Sequence, residues 1–92
     1  MPAFDGAYFI AKFGAIPDER WIEGELSAPM DRHCALGFTM VGGNWSDEST
    51  ALCRLFGYDQ VSLINDGQDL RYKQPTPKAR VLAALRDLPP TP

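Results

Sequence analysis

The chain is short of the side chains on which most metal sites and nucleophilic active sites are built. It has one histidine, His33, and two cysteines, Cys34 and Cys53, too few ligands for a metal centre and no cysteine-pair zinc pattern. A glycine-rich phosphate loop and a serine-centred nucleophile elbow are also missing, so no cofactor is implied. No apolar run approaches the roughly 18 residues that a membrane helix needs. The N-terminus lacks the basic start and apolar stretch of a secretory signal, so a cytoplasmic location without a membrane partner is expected. In a reducing compartment the two cysteines are expected as buried free thiols, each packing as a small hydrophobe, rather than as a disulfide.

What remains is enough for one small folded unit. The 92 residues are 45% apolar, 11% aromatic and 23% charged, a globular composition near the size at which one core supplies only a few kcal/mol of stability. A single domain over residues 1–92 is expected, with a frayed Pro-rich tail over 89–92. The net charge of -3 is unevenly spread. Residues 1–70 hold eleven acids against four bases, whereas residues 71–92 hold five bases against one acid. An acidic body suits a basic groove on another protein. The basic segment, with Arg71, Lys73, Lys78, Arg80 and Arg86, is expected mainly as a solvated helix face, because an overall acidic protein is repelled by nucleic acid.

Capping residues and periodicity place the elements. Asp5 caps a first helix over residues 6–13 with Phe9, Ile10 and Phe13 inward and Gly14 past its end. Pro17 opens a polar connection over Ile16–Arg20. Trp21–Leu26 reads as a short strand. Asp31 caps a predicted helix that Gly42-Gly43 ends, with Cys34, Gly37, Phe38 and Val41 on one face. Gly37 inside it implies that a neighbour packs closely there. Ser46 caps the next helix, which carries Asp47 and Glu48 in its first turn, buries Leu52, Cys53 and Phe56, and stops at Gly57. Val61–Ile64 reads as a strand, closed by an Asn65-Asp66-Gly67 turn. Thr76 and Pro77 open a last helix with Val81, Leu82, Leu85 and Leu88 inward. Four helices and one or two short strands make an α+β fold, mainly helical.

Several positions invite a functional reading. A thiol at a helix start is activated by the dipole, and Cys34 takes that place in the predicted helix. His33, however, is its neighbour in sequence and would point about 100° away on a helix. Asp66, beside Asn65, offers oxygen ligands, but Asn65, Asp66 and Asp69 lack the spacing of a calcium loop, and a turn held by side-chain-to-backbone bonds explains them. Glu23 and Glu25 share a side if extended, as carboxylates sharing a proton must, although solvated acids two apart are common. Tyr8, Trp21, Trp45, Tyr58 and Tyr72 are the candidate exposed aromatics. Trp45, after Gly42-Gly43-Asn44, is the most suggestive as an interface anchor, and a lid folded over the core explains it equally well.

The order Trp21-Ile22-Glu23-Gly24-Glu25-Leu26, Cys34-Ala35-Leu36-Gly37, Ile64-Asn65-Asp66 and Thr76 to Leu88 resembles a family of short bacterial and phage proteins known only as a domain of unknown function. This chain differs in having Ile64 where an aromatic often precedes Asn-Asp, and in a longer polar insert before Thr76. The resemblance implies that Trp21, Gly24, Cys34, Gly37, Asn65, Asp66 and Thr76 form one framework, and that the origin is a phage or mobile element. Small acidic proteins of that origin often block host machinery, CRISPR defence complexes included.

The leading expectation is therefore a non-enzymatic module that binds a protein partner with a basic surface, in the manner of an inhibitor of a host defence complex such as CRISPR. Asp18, Glu19, Glu23, Glu25, Asp47 and Glu48 would supply the charge and Trp45 the anchor. The alternative is a Cys34-dependent hydrolase or transferase with Asn65 or Asp66 orienting. A second alternative is weak nucleic-acid binding through segment 71–86.

Overall fold

A computed structural model describes residues 4–89; the tail expected to fray lies, beyond Pro89, outside the described residues. The fold is α+β and mainly helical. Among the described residues it has four α-helices, α1 (Gly6–Gly14), α2 (Asp47–Phe56), α3 (Tyr58–Asn65) and α4 (Pro77–Arg86), and an antiparallel pair of two-residue strands, β1 (Ser27–Ala28) and β2 (Arg32–His33). Short 3-10 turns cover Asp18–Arg20 and Gly37–Thr39.

The three capped helices form where the capping residues place them. The Asp5 side chain accepts from the Tyr8 amide at 3.0 Å, and Thr76 accepts from the Ala79 amide at 3.1 Å with Pro77 at the first helical position. At α2, Ser46 and Ser49 cap each other reciprocally, which satisfies two amides that a helix start leaves open. Helix α1 packs on α4, α4 on α3 and α3 on α2. The core runs along an aromatic line. Phe9 stacks on Phe13 at 5.6 Å, Trp21 meets Phe13 edge-on at 5.3 Å, and Phe38 meets Trp21 at 4.9 Å. Phe9 and Phe13 are fully buried, and each such side chain contributes about 1.5–3 kcal/mol by leaving water.

Three expected elements are different in the structure. Val61–Ile64 is not a strand but the middle of α3: the Asp66 amide bonds the Ser62 carbonyl at 2.9 Å, and Val61, Ile64 and Asn65 are buried at helical spacing. Gly57, at φ +95°, ends α2 and begins α3, and this backbone angle allows two helices to abut with a single residue between them. Asn65 is thus the last residue of α3 rather than part of an open turn, and Asp66 is its C-cap. The helix predicted from Asp31 to the Gly42-Gly43 stop does not form; only the 3-10 turn Gly37–Thr39 lies in it. Arg32 and His33 pair with Ala28 and Ser27, and the connection places Met30 and Asp31 at φ +68° and +56°, a left-handed conformation that no helix start adopts. Trp21–Leu26 is not a strand either. Trp21 alone bridges to His33, and the Ile22 carbonyl and Gly24 amide are taken by side chains of Asn65 and Asp66.

Gly37 is the expected point of close approach. A Cβ built there would stand 2.0 Å from the Leu26 carbonyl oxygen and 3.0 Å from the His33 Cβ, so only glycine fits. The Cys34 amide bonds the same Leu26 carbonyl at 3.3 Å. Residues 21–36 therefore fold back on themselves as an irregular layer over α3 and α4.

Candidate functional site

Asn65 fastens that irregular layer to the helices. Its side chain is fully buried. Its Oδ1 accepts from the Ala35 amide at 3.0 Å, and its Nδ2 donates to the Ile22 carbonyl at 2.8 Å and to Asp66 Oδ1 at 3.0 Å. Asp66 Oδ1 also accepts from the Gly24 amide at 3.0 Å. Beside them the buried Arg80 donates to the Asn65 carbonyl at 2.8 Å, to the Gln74 carbonyl at 2.9 Å and to the Glu23 carboxylate. Asn65 and Asp66 are thus bonded mostly to backbone remote in sequence, not to a local turn. Both Nδ2 protons of Asn65 are used, and its Oδ1 is buried against the Ala35 amide, which leaves no proton to donate in chemistry.

Above this node lies a cleft of about 250 Å³ between the Gly24–Leu26 segment and α3. Glu25, Leu26, Tyr58 and Asp66 line its mouth, and the buried Cys34 and Leu36 reach its floor. Tyr58 is 61% exposed and Trp45 50% exposed, their rings 5.8 Å apart and tilted by 34°. Glu25 and Asp66 form no ion pair among the described residues, so the cleft carries uncompensated negative charge.

A larger cleft, about 450 Å³, lies on the other side of Leu26, lined by Arg20, Asp31, His33, Phe38 and Met40 among others. Its charges are matched internally. Asp31 Oδ2 pairs with Arg20 at 2.6 Å and Oδ1 with His33 Nε2 at 2.7 Å. The hydrogen bond with His33, and then the Arg20 charge, hold the Asp31 carboxyl below its ordinary range. Arg20 also lies over the Phe38 ring. Sequence reasoning passed over this cluster because it took Asp31 for a helix cap.

The expected charge donors separate into free and occupied groups. Asp18, Glu19 and Asp47 are exposed, without a described contact to the cleft. Glu23 is half-exposed and spent on Arg80. Glu48 is not free: Lys12 pairs with it and the Tyr8 hydroxyl donates to it at 2.7 Å, tying α1 to α2. Partial burial pushes its pKa up, but these two bonds outweigh that and the net shift is downward. Trp21 and Tyr72, expected as exposed aromatics, are buried. Tyr58, Glu25 and Asp66 are brought together with Trp45, a grouping that spans residues 25 to 66.

Cys34 does not stand at a helix start, so no dipole lowers its pKa. Burial pushes the thiol up instead, partly offset by the Gly37 amide, which donates to Sγ at 3.5 Å. The sole histidine is engaged with Asp31. Cys34 is accordingly expected to resist iodoacetamide at neutral pH in the folded protein, with the more accessible Cys53 alkylated first. Peptide mapping after timed quenching checks this, and rapid labelling of Cys34 would revive a thiol mechanism.

Of the five bases in the basic segment, Lys73, Lys78 and Arg86 have no ion-pair partner among the described residues, whereas the other two are engaged. Arg71 is bound to Asp69 at 2.8 Å, and Arg80 is buried. The Arg71 bonds, together with Gln60, hold the Asp69 carboxyl at about 2. Among the described residues no cluster of three or more His, Cys, Asp or Glu could hold a metal ion, and no helix is long and apolar enough to cross a membrane.

No protein-family model, curated protein or solved structure gave a match to the chain.

Proposed function

We propose that this protein is a small non-enzymatic binding module that docks its acidic, aromatic face on a basic protein surface. The observation that carries the reading is the exposed Trp45–Tyr58 pair, of which Tyr58 lines the same cleft as Glu25 and Asp66, two acids without an ion-pair partner among the described residues. Aromatic anchors supply most of the energy of a typical interface, and charge complementarity supplies its selectivity and on-rate. The exposed Asp18, Glu19 and Asp47 add to the protein's long-range negative potential. A groove that normally takes the phosphates of a nucleic acid is the kind of surface such a face fits, which agrees with an inhibitor of a host defence complex of the CRISPR type. The mobile-element origin implied by the motif order belongs to the same proposal.

Affinity purification from the host, followed by titration of the recovered partner, tests it. The Trp45→Ala variant is expected to bind about 30-fold more weakly, corresponding to the roughly 2 kcal/mol of an aromatic anchor. Affinity of the unaltered protein should also fall as salt rises through the range in which exposed charges are screened. Undiminished binding by Trp45→Ala, or affinity independent of salt, would contradict the reading.

A further inference from the structure

We propose that the cleft rimmed by Glu25, Tyr58 and Asp66 is a subsite for one arginine side chain of the partner, an inference that rests on the binding role proposed above. Its size comes first. About 250 Å³ admits one extended side chain and its polar head but not a helix or strand.

Its charge comes second. Glu25 and Asp66 both line this space and, among the described residues, neither has a cationic partner. Asp66 is also pre-oriented: the Gly24 amide and the Asn65 amide both hold its Oδ1, which leaves Oδ2 to accept from a ligand. A fixed carboxylate avoids the ordering cost that weakens most exposed ion pairs.

The wall selects guanidinium over ammonium. Tyr58 presents an exposed ring at the cleft mouth, Trp45 extends that aromatic surface, and Leu26 offers apolar contact for a methylene stem. A planar guanidinium stacks on such a ring while its fork bonds a carboxylate, a combination that a compact, strongly hydrated ammonium cannot match. The chain's own nearby arginine does not compete. Arg80 is committed to Glu23, Asn65 and Gln74.

The test uses Nα-acetyl-arginine amide as the probe, followed by amide chemical shifts of the full chain at low ionic strength, with the lysine and citrulline amides as comparisons. The arginine compound is expected to shift Glu25, Leu26, Ser62 and Asp66 saturably, to bind about threefold more tightly than the lysine compound, and to leave citrulline, its neutral isostere, without effect. Combining Glu25→Gln with Asp66→Asn should weaken binding about tenfold, as expected for lost charge-assisted bonds, while the new amide oxygen still accepts from Gly24. Tyr58→Leu, at an exposed position, should weaken it independently. Equal shifts with citrulline, shifts centred away from the cleft, or unchanged binding by both variants would overturn the proposal. Failure of arginine to enter the cleft, with partner binding still lost in Trp45→Ala, removes the subsite and leaves the binding module. Arginine entering the cleft while Trp45→Ala binds the partner normally removes the docking reading and leaves the subsite as a feature of the isolated protein.

Discussion

Asn65→Ala is expected to lower the unfolding free energy by about 3 kcal/mol, because it leaves the Ala35 amide and Ile22 carbonyl without partners and each such buried group costs roughly 1–3 kcal/mol. In a domain of this size that corresponds to a fall in Tm of about 15 °C. Since small domains hold only about 5–10 kcal/mol in total, the variant would be marginal at 37 °C. Asn65→Asp should be worse at neutral pH. One carboxylate oxygen still accepts from Ala35, but the other faces the Ile22 carbonyl and the Asp66 carboxylate, both acceptors. Protonation turns that oxygen into a donor, so Asn65→Asp is expected to recover part of its stability as pH falls from 7 towards 5. Thermal melts by circular dichroism at the two pH values check both variants. A loss below about 1 kcal/mol for Asn65→Ala would show that the irregular layer is held by something other than this side chain.

Gly37→Ala is the second large effect. The added methyl would sit 2.0 Å from the Leu26 carbonyl oxygen, and that oxygen cannot retreat without releasing the Cys34 amide it accepts from. Ordinary overpacking costs about 1–3 kcal/mol; here the obstacle is backbone, so the cost should reach or exceed the upper end of that range. The damage should be local before it is global. Trp21 packs against Phe38, the residue after Gly37, so tryptophan fluorescence and near-ultraviolet circular dichroism should change while the far-ultraviolet helix signal persists. A Gly37→Ala protein melting within a few degrees of the parent would contradict the close approach.

These two residues mark how far the sequence could be read. The helices with polar caps were legible, because Asp5, Ser46 and Thr76 each sit where a side-chain oxygen meets an open amide. Helix α3 was not. Its eight residues follow Gly57 without a side-chain cap, and the short apolar run Val61–Ile64 suits a strand as well as a helix. Cys34 to Phe38 was misread for the opposite reason: Asp31 has the chemistry of a cap, but in the structure it is bound to Arg20 and His33 across a left-handed turn. The close packing at Gly37 was visible from its cost inside an element, even though the element itself was wrong. Of the candidate face, Trp45 and Glu25 were legible as an exposed aromatic and an exposed acid. The pairing of Glu25 with Asp66 was not, since it depends on the Gly24 amide meeting a side chain 42 positions away, which no local pattern records. Glu48 looked like a free acid because Tyr8 and Lys12 lie a similar distance away in sequence.

The common thread is that side-chain bonds from Asn65, Asp66 and Arg80, added to one two-residue strand pair, tie residues 21–36 to the helices, and the binding reading requires that they fix this layer before any partner arrives. Native-state hydrogen exchange at the Ala35 amide measures this directly. Ala35 lies outside regular secondary structure, yet if its bond to Asn65 locks the layer, its amide should exchange among the slowest, with an opening free energy close to that of global unfolding measured at core amides of α1 and α4. Exchange of Ala35 at the rate of an exposed loop amide, while those helices remain protected, would show a mobile layer and contradict a preformed binding face.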